Sequence, residues 1–155
     1  MRFLSDACEY GLRATVWLAQ RAGTTQKVRE IAEGTQSTPG YLVKVLQRLA
    51  KAGILSAQRG SQGGFTLEHS PDDITVLDII NAVDPLERIQ TCPLGLDAHG
   101  QHLCPLHRRI DDAMATIEES FGTVTIAEMI SESSRSRPLC NGLEVERSRP
   151  TQEEK

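Results

Sequence analysis

Cys92, His99, His102, Cys104 and His107 lie within sixteen positions of one another, a window holding three of the four histidines and two of the four cysteines of this 155-residue chain. Thiolate and imidazole together suit zinc or an iron–sulfur cluster. Cys104 is followed by Pro105, and proline is favoured at the first position of a helix, so Cys104 is the expected N-cap. A helix dipole and open amides stabilise a thiolate there, the form that binds metal or meets oxidants. His107 follows one turn later, at i+3, within reach of the same ion or cluster. Cys92 also precedes a proline, in a loop-like stretch from which it can fold back. The spacing is not that of a zinc finger, whose paired cysteines stand two to four apart. From spacing alone, a metal or cluster site and ordinary reactive or buried thiols remain equal readings. His69 stands alone and reads as a surface histidine, and Cys140 as a free thiol without a role.

Elements on both sides must position this window. Pro105 opens a helix running to about Phe121, with Leu106, Ile110, Ala113, Met114, Ile117 and Phe121 as its apolar stripe. A long stripe on so small a chain reads as a dimerisation helix; the alternative is packing on its own module. Residues 86–103 read as loop, and Thr125 to Ile130 as a last helical turn. From Ser131 the chain is Ser, Arg, Glu and Pro with few apolar residues, the composition of a disordered tail. The only internal echo in this reading is Cys-Pro-Leu, at Cys92 and again at Cys104.

The first half carries a different chemistry. Leu42, Val45, Leu46 and Leu49 form one apolar stripe, while Tyr41, Lys44, Arg48 and Lys51 fall on the opposite face. Thr38 and Pro39 start this helix and Gly53 stops it. Before it, Val28 to Gly34 reads as a short helix ended by glycine. After it, Ile54-Leu55 and Phe65-Thr66-Leu67 read as strands around the glycine-rich turn Gly60 to Gly64. Ser5 to Arg21 reads as a first helix with Ala7, Tyr10, Ala14, Trp17 and Leu18 inward. Thr75 caps a further helix, Val76 to Val83, which Asp84-Pro85 ends. The fold class is therefore mainly α with a small β-hairpin: a winged helix-turn-helix plus a long C-terminal dimerisation helix. Such a unit places one helix in a DNA major groove. On this reading Tyr41, Lys44 and Arg48 face the groove or its phosphates. Arg59 at the wing tip meets the minor groove or phosphate. Ser37 and Thr38 bond phosphate through hydroxyls and helix-start amides.

Charge agrees with that division. Residues 1–67 hold nine Lys/Arg and four Asp/Glu, a balance of +5, and the rest of the chain carries −9, giving −4 in all. A basic module joined to an acidic one assigns phosphate to the first alone. No apolar run reaches membrane-spanning length, and charged residues interrupt the start too early for a signal peptide. The expected location is the cytoplasm. Aromatic residues make up only 4%, too few for a single-strand stacking platform. The 60–64 glycines lead into a strand rather than a helix, and there is no nucleophile elbow, so an enzyme is not expected.

These residues carry a family resemblance over residues 1 to about 131. Tyr10-Gly11-Leu12-Arg13-Ala14, Tyr41-Leu42, Leu49-Ala50-Lys51-Ala52-Gly53-Ile54-Leu55 and the wing from Arg59 to Leu67 resemble the Rrf2 family of bacterial winged-helix regulators. The resemblance implies a homodimer, a palindromic operator in double-stranded DNA, and a cluster-binding loop before the dimerisation helix. Cluster-binding members have three cysteines in that loop, sometimes with a following histidine. Cys92, Cys104 and His107 match the first cysteine, the last and the histidine. The middle cysteine is missing, with Ala98 near its place and His99 beside it as a substitute. Some members take a carboxylate from the partner's first helix; Cys8 stands at about that position, next to Glu9. The implied function is a repressor sensing redox, iron or nitric oxide through an iron–sulfur cluster of 2Fe–2S type. Other members lack a cluster and sense by thiol oxidation or a protein partner, and a zinc-binding or electron-transfer protein is the reading from another class. The expected layout is a DNA-binding domain over 1–84, a cluster loop over 85–104, a dimerisation region over 105–130 and a tail over 131–155.

Overall fold

A computed structural model describes residues 4–60, 62–96, 102–132 and 138–139. Six α-helices and one hairpin follow in order: α1 (Asp6–Ala19), α2 (Val28–Thr35), α3 (Pro39–Lys51), β1 (Leu55–Gln58), β2 (Gly64–Leu67), α4 (Val76–Val83), α5 (Pro105–Gly122) and α6 (Ile126–Ser131). Ser5 caps α1, its hydroxyl accepting from the Cys8 amide at 3.3 Å. Most of the buried face of α1 is small, with Ala7, Cys8, Gly11, Ala14 and Thr15. Small side chains let α1 sit at the centre, packed on α2, α3, α4, α6 and β2.

The stripe of α3 is buried as expected, with Leu42, Val45, Leu46 and Leu49 at 2% exposure or less. Ile31, Ile79, Ile80 and Ile126 close the same core. Burying each such side chain is worth about 1.5–3 kcal/mol over leaving it exposed. Gly53 ends α3 with φ +79, where a glycine costs least.

Gly34 does not end α2, as the sequence suggested. The helix continues through Thr35, and Gln36 makes the left-handed exit at φ 52. Gly34 serves the Trp17 ring instead: a Cβ there would lie 2.0 Å from a ring carbon. Trp17 in turn carries the Arg21 guanidinium 3.3 Å over its ring.

The hairpin pairs antiparallel, Leu55 with Leu67 through Gln58 with Gly64. A third segment joins it, as Gln26 and Phe65 exchange both backbone bonds at 2.9 Å. Gly64 permits that approach, since a Cβ would meet the Gln26 carbonyl at 2.3 Å.

A second echo, absent from the sequence reading, fastens the two ends of the fold together. Thr75 and Asp78 form a capping box at α4, and Thr125 and Glu128 form another at α6. The two helix starts bridge each other, with Val76 N donating to Val124 O at 3.0 Å and Ile126 N to Ile74 O at 2.9 Å. The core of the DNA-binding module thus takes in Ile126, well beyond residue 84. Within the expected tail, Pro138 accepts from the Gln20 side-chain amide at 2.9 Å, and Leu139 packs against the core. Cys140 and the remaining tail fall outside the described residues.

Candidate DNA-binding face and thiol site

The hydroxyls at the start of α3 part company. Ser37 is 8% exposed, its Oγ 2.9 Å from Thr35 Oγ1 and donating to the Thr35 carbonyl at 3.4 Å. Its side chain therefore points into the module. Thr38 is the exposed N-cap, and its side chain makes no capping bond. Pro39 carries no amide hydrogen and the Tyr41 amide donates to the Thr38 carbonyl at 3.2 Å, so the Gly40 amide is the first-turn donor this end of α3 offers to phosphate.

Along α3, Lys44, Gln47 and Lys51 are exposed. Gln47 is an addition to the residues named from sequence; its signal was present, i+3 from Lys44 on the polar face, but it carries no charge. Tyr41, 43% exposed, stands edge-on to Tyr10 of α1 at a 5.5 Å centroid separation. Arg48 is exposed like its neighbours, but its guanidinium is engaged within the chain: Nη1 donates to the Val83 carbonyl at the end of α4, at 2.9 Å. Arg59 is exposed where β1 ends, beside Gly60 at φ +103, and the Gly63 amide closes the turn on the Gly60 carbonyl at 2.9 Å.

The thiol site is built at the head of α5. Cys104 is the N-cap and Pro105 the first helical residue. Cys104 Sγ lies 3.3 Å from His107 Nδ1, the i+3 neighbour anticipated from spacing. Both are half-buried, as is Cys92, which starts a turn closed by the Gly95 amide on the Cys92 carbonyl at 2.9 Å. His102 is exposed, while His99 and Ala98 lie outside the described residues. Cys8 sits elsewhere: it is 2% exposed in the core, with Sγ donating to the Asp84 carbonyl at 3.8 Å. Glu9 pairs with Arg13 at 2.7 Å. No three His, Cys, Asp or Glu side chains are gathered to hold a metal ion among the described residues.

Sequence reasoning missed the clamp that orders the stem of the cysteine loop. Arg88 grips Asp111 of α5 through two bonds, Nε to Oδ1 at 2.7 Å and Nη2 to Oδ2 at 2.6 Å, and reaches Glu118 at 3.3 Å. The Ile89 amide adds a bond to Asp111 at 2.9 Å. The hydrogen bond from Arg88 holds the Asp111 carboxyl below the usual carboxylate range, and the bond to Asp111 raises the Arg88 guanidinium above its own ordinary value. No local spacing rule links residues 23 apart, so no signal in the sequence announced the pair.

α5 itself has no buried residue; Leu106 is 65% exposed and Ile110 41%. His69 is exposed, as expected, at a shallow depression with Asp73, Asp78 and Asn81. No described helix is long and apolar enough to cross a membrane.

Known proteins share this architecture. The family model for Rrf2, described as an iron-dependent transcriptional regulator, matches residues 4–132. A relative in Aquifex aeolicus (strain VF5), named as an HTH-type transcriptional regulator, is 30% identical over 129 residues, covering 81% of this chain and 90% of its own. The structure of T. potens IscR superposes with a TM-score of 0.67 at 27% identity, over 87% of this chain and 94% of that one. CymR, the global cysteine regulator of B. subtilis, gives 0.69 at 24% identity, over 86% and 100%. At that identity CymR speaks for the fold alone. The family model and the Aquifex relative each span most of the chain, and this chain belongs to the Rrf2 family of winged-helix transcriptional regulators.

Proposed function

We propose that this Rrf2-family chain is a cytoplasmic, homodimeric repressor that reads a palindromic operator with α3 and the wing. It senses redox state, iron or nitric oxide through Cys92, Cys104 and His107. The observation that carries the sensing half is the 3.3 Å approach of Cys104 Sγ to His107 Nδ1 at the start of α5. The reading half is supported by Thr38, Tyr41, Lys44 and Arg59, all exposed on α3 and the wing. Dimerisation is supported by the exposed Leu106 and Ile110 on a helix with no fully buried residue in its own chain. A non-enzymatic role is supported by the regulators this chain resembles.

The sensing group on this reading is an iron–sulfur cluster of 2Fe–2S type, and the description of the family as iron-dependent supports it. Sulfur and imidazole at Cys104 and His107 have suitable donor chemistry, and Cys92 is the second thiolate. The cluster, when bound, supplies an electron-accepting centre open to oxidants and nitric oxide. The protein's part is to hold the donors at the head of the dimer helix and to order the loop through Arg88. The further donors named from sequence stand apart: Cys8 must leave the core and the Asp84 carbonyl, Glu9 must leave Arg13, and His99 lies outside the described residues.

The same contact favours a second reading, in which no cluster binds and Cys104, half-buried beside the His107 imidazole, is itself the oxidised group. The two separate on anaerobically purified protein assayed for visible absorption, iron and sulfide. The cluster reading expects a brown protein that loses its absorption in Cys92→Ala and in Cys104→Ala. A colourless preparation that iron and sulfide cannot reconstitute replaces it with the thiol reading. Colourless protein with bound zinc would return it to a structural metal site.

A further inference from the structure

We infer that Arg48 is a positioning residue that seats the recognition helix on the end of α4, and not one of the phosphate contacts its place on the basic face suggests. Val83 is the last residue of α4, and the final carbonyls of a helix lack intrahelical donors. A guanidinium there satisfies one and complements the negative end of the dipole. The 2.9 Å bond from Arg48 Nη1 does this across 35 positions of sequence. The next residue, Asp84, presents its carbonyl to the Cys8 thiol of α1. Arg88 then locks onto Asp111 of α5, the helix headed by Cys104 and His107, and Cys92 follows four positions later. The segment 83–88 is thus pinned at one end by the DNA-reading helix and at the other by the helix that carries the thiol site. Lys44 and Lys51, on the same face of α3, are exposed and make no ion pair among the described residues. Those two are left to meet phosphate.

The consequence is a route from the loop to the operator in which one charged hydrogen bond is added to the packing of α4 on α3. A pull on segment 83–88 reaches α3 through that bond and through the buried Val83. This consequence rests on the proposal that Cys92 and Cys104 sense; the seating role of Arg48 does not.

Arg48→Met in the full-length chain removes both charge and donor while keeping the stem. Arg48 is exposed, so no core packing is lost. In DNA-free protein, the amides of Val83 and Asp84 should exchange with solvent about tenfold faster, a change that a phosphate contact would not produce. Operator affinity should fall about tenfold with the slope of log K against log salt unchanged, whereas Lys44→Met should flatten that slope by about 0.9. Unchanged amide exchange with a slope flattened by the same unit would make Arg48 a phosphate contact and overturn the inference. A third arm alkylates the cysteines. Loss of the wild-type response in Arg48→Met supports the route, and a full response in the variant ends it. A wild type that does not respond sinks the sensing proposal alone, and leaves the exchange and salt results to decide the role of Arg48.

Discussion

The basic helix α3 and the long helix α5 differ in what holds them. α3 seals its apolar stripe completely, with Leu42, Leu46 and Leu49 at 0% exposure, and its outer face is free for DNA. α5 is longer but buries no residue; the Arg88 ion pair and the half-buried Phe121 tie it to its own chain. A part whose ligand is rigid and always of one shape is set in advance by its own core. On the proposed function, α5 is the part that responds, and its light packing leaves a second chain or a bound group to decide its arrangement. Marginal local stability is what makes a segment switchable.

The largest test of that contrast is in the core. Leu46→Ala should cost about 2–5 kcal/mol of unfolding free energy by the loss of packing and the cavity left behind, read by urea denaturation. The matching truncation on α5, Leu106→Ala, should leave monomer stability within about 0.5 kcal/mol. Equal effects at the two sites would remove the contrast.

Next in size is assembly. Ile110→Asp places a charge in the exposed stripe and gives up about 1.5–3 kcal/mol of burial in each copy of a dimer. Light scattering should report monomer at micromolar concentration, and operator affinity should fall with it. A dimer as firm as wild type would move the interface away from α5.

Arg59→Ala should weaken operator binding by about 1–3 kcal/mol if it reads a groove edge, with the loss falling on particular base pairs. A uniform loss across sequences together with a salt slope flattened by about one unit would assign it to phosphate instead. Binding equal to wild type would take the wing out of recognition.

The smallest effect is at the clamp. Asp111 titrates below the usual carboxylate range in the folded chain, so its contribution is fully present above about pH 4 and lost as pH falls through the lowered folded value. Asp111→Asn should reproduce that loss at neutral pH, and because solvent screens the pair the effect should be the smallest of the series. The check is proteolytic susceptibility of segment 84–96 against pH in wild type and variant. A variant as resistant as wild type at neutral pH would deny the clamp any role in ordering the loop.

Much of the fold was legible because it is local. Periodicity fixes α3, since four leucine and valine positions at i, i+3, i+4 and i+7 can be buried together in only one conformation. Thr75, Thr125, Pro39 and Pro105 mark helix starts by their own hydrogen-bonding and φ preferences, and the i+3 step brings Cys104 to His107 without help from the rest of the chain. What depends on distant partners was not legible. Gly34 looked like a helix stop, but the Trp17 ring decides its role. Ser37 and Thr38 look alike in sequence, and only the path of the chain turns one inward and the other out. Arg48 and Lys44 share a helix face, yet the end of α4 engages one of them. The placement of Cys8, of Ile126 and of the Arg88 clamp follows from helices meeting across dozens of residues. Periodicity determines which face of each element is apolar; packing alone determines which elements those faces meet, and so which polar atoms are spent within the chain and which remain for DNA.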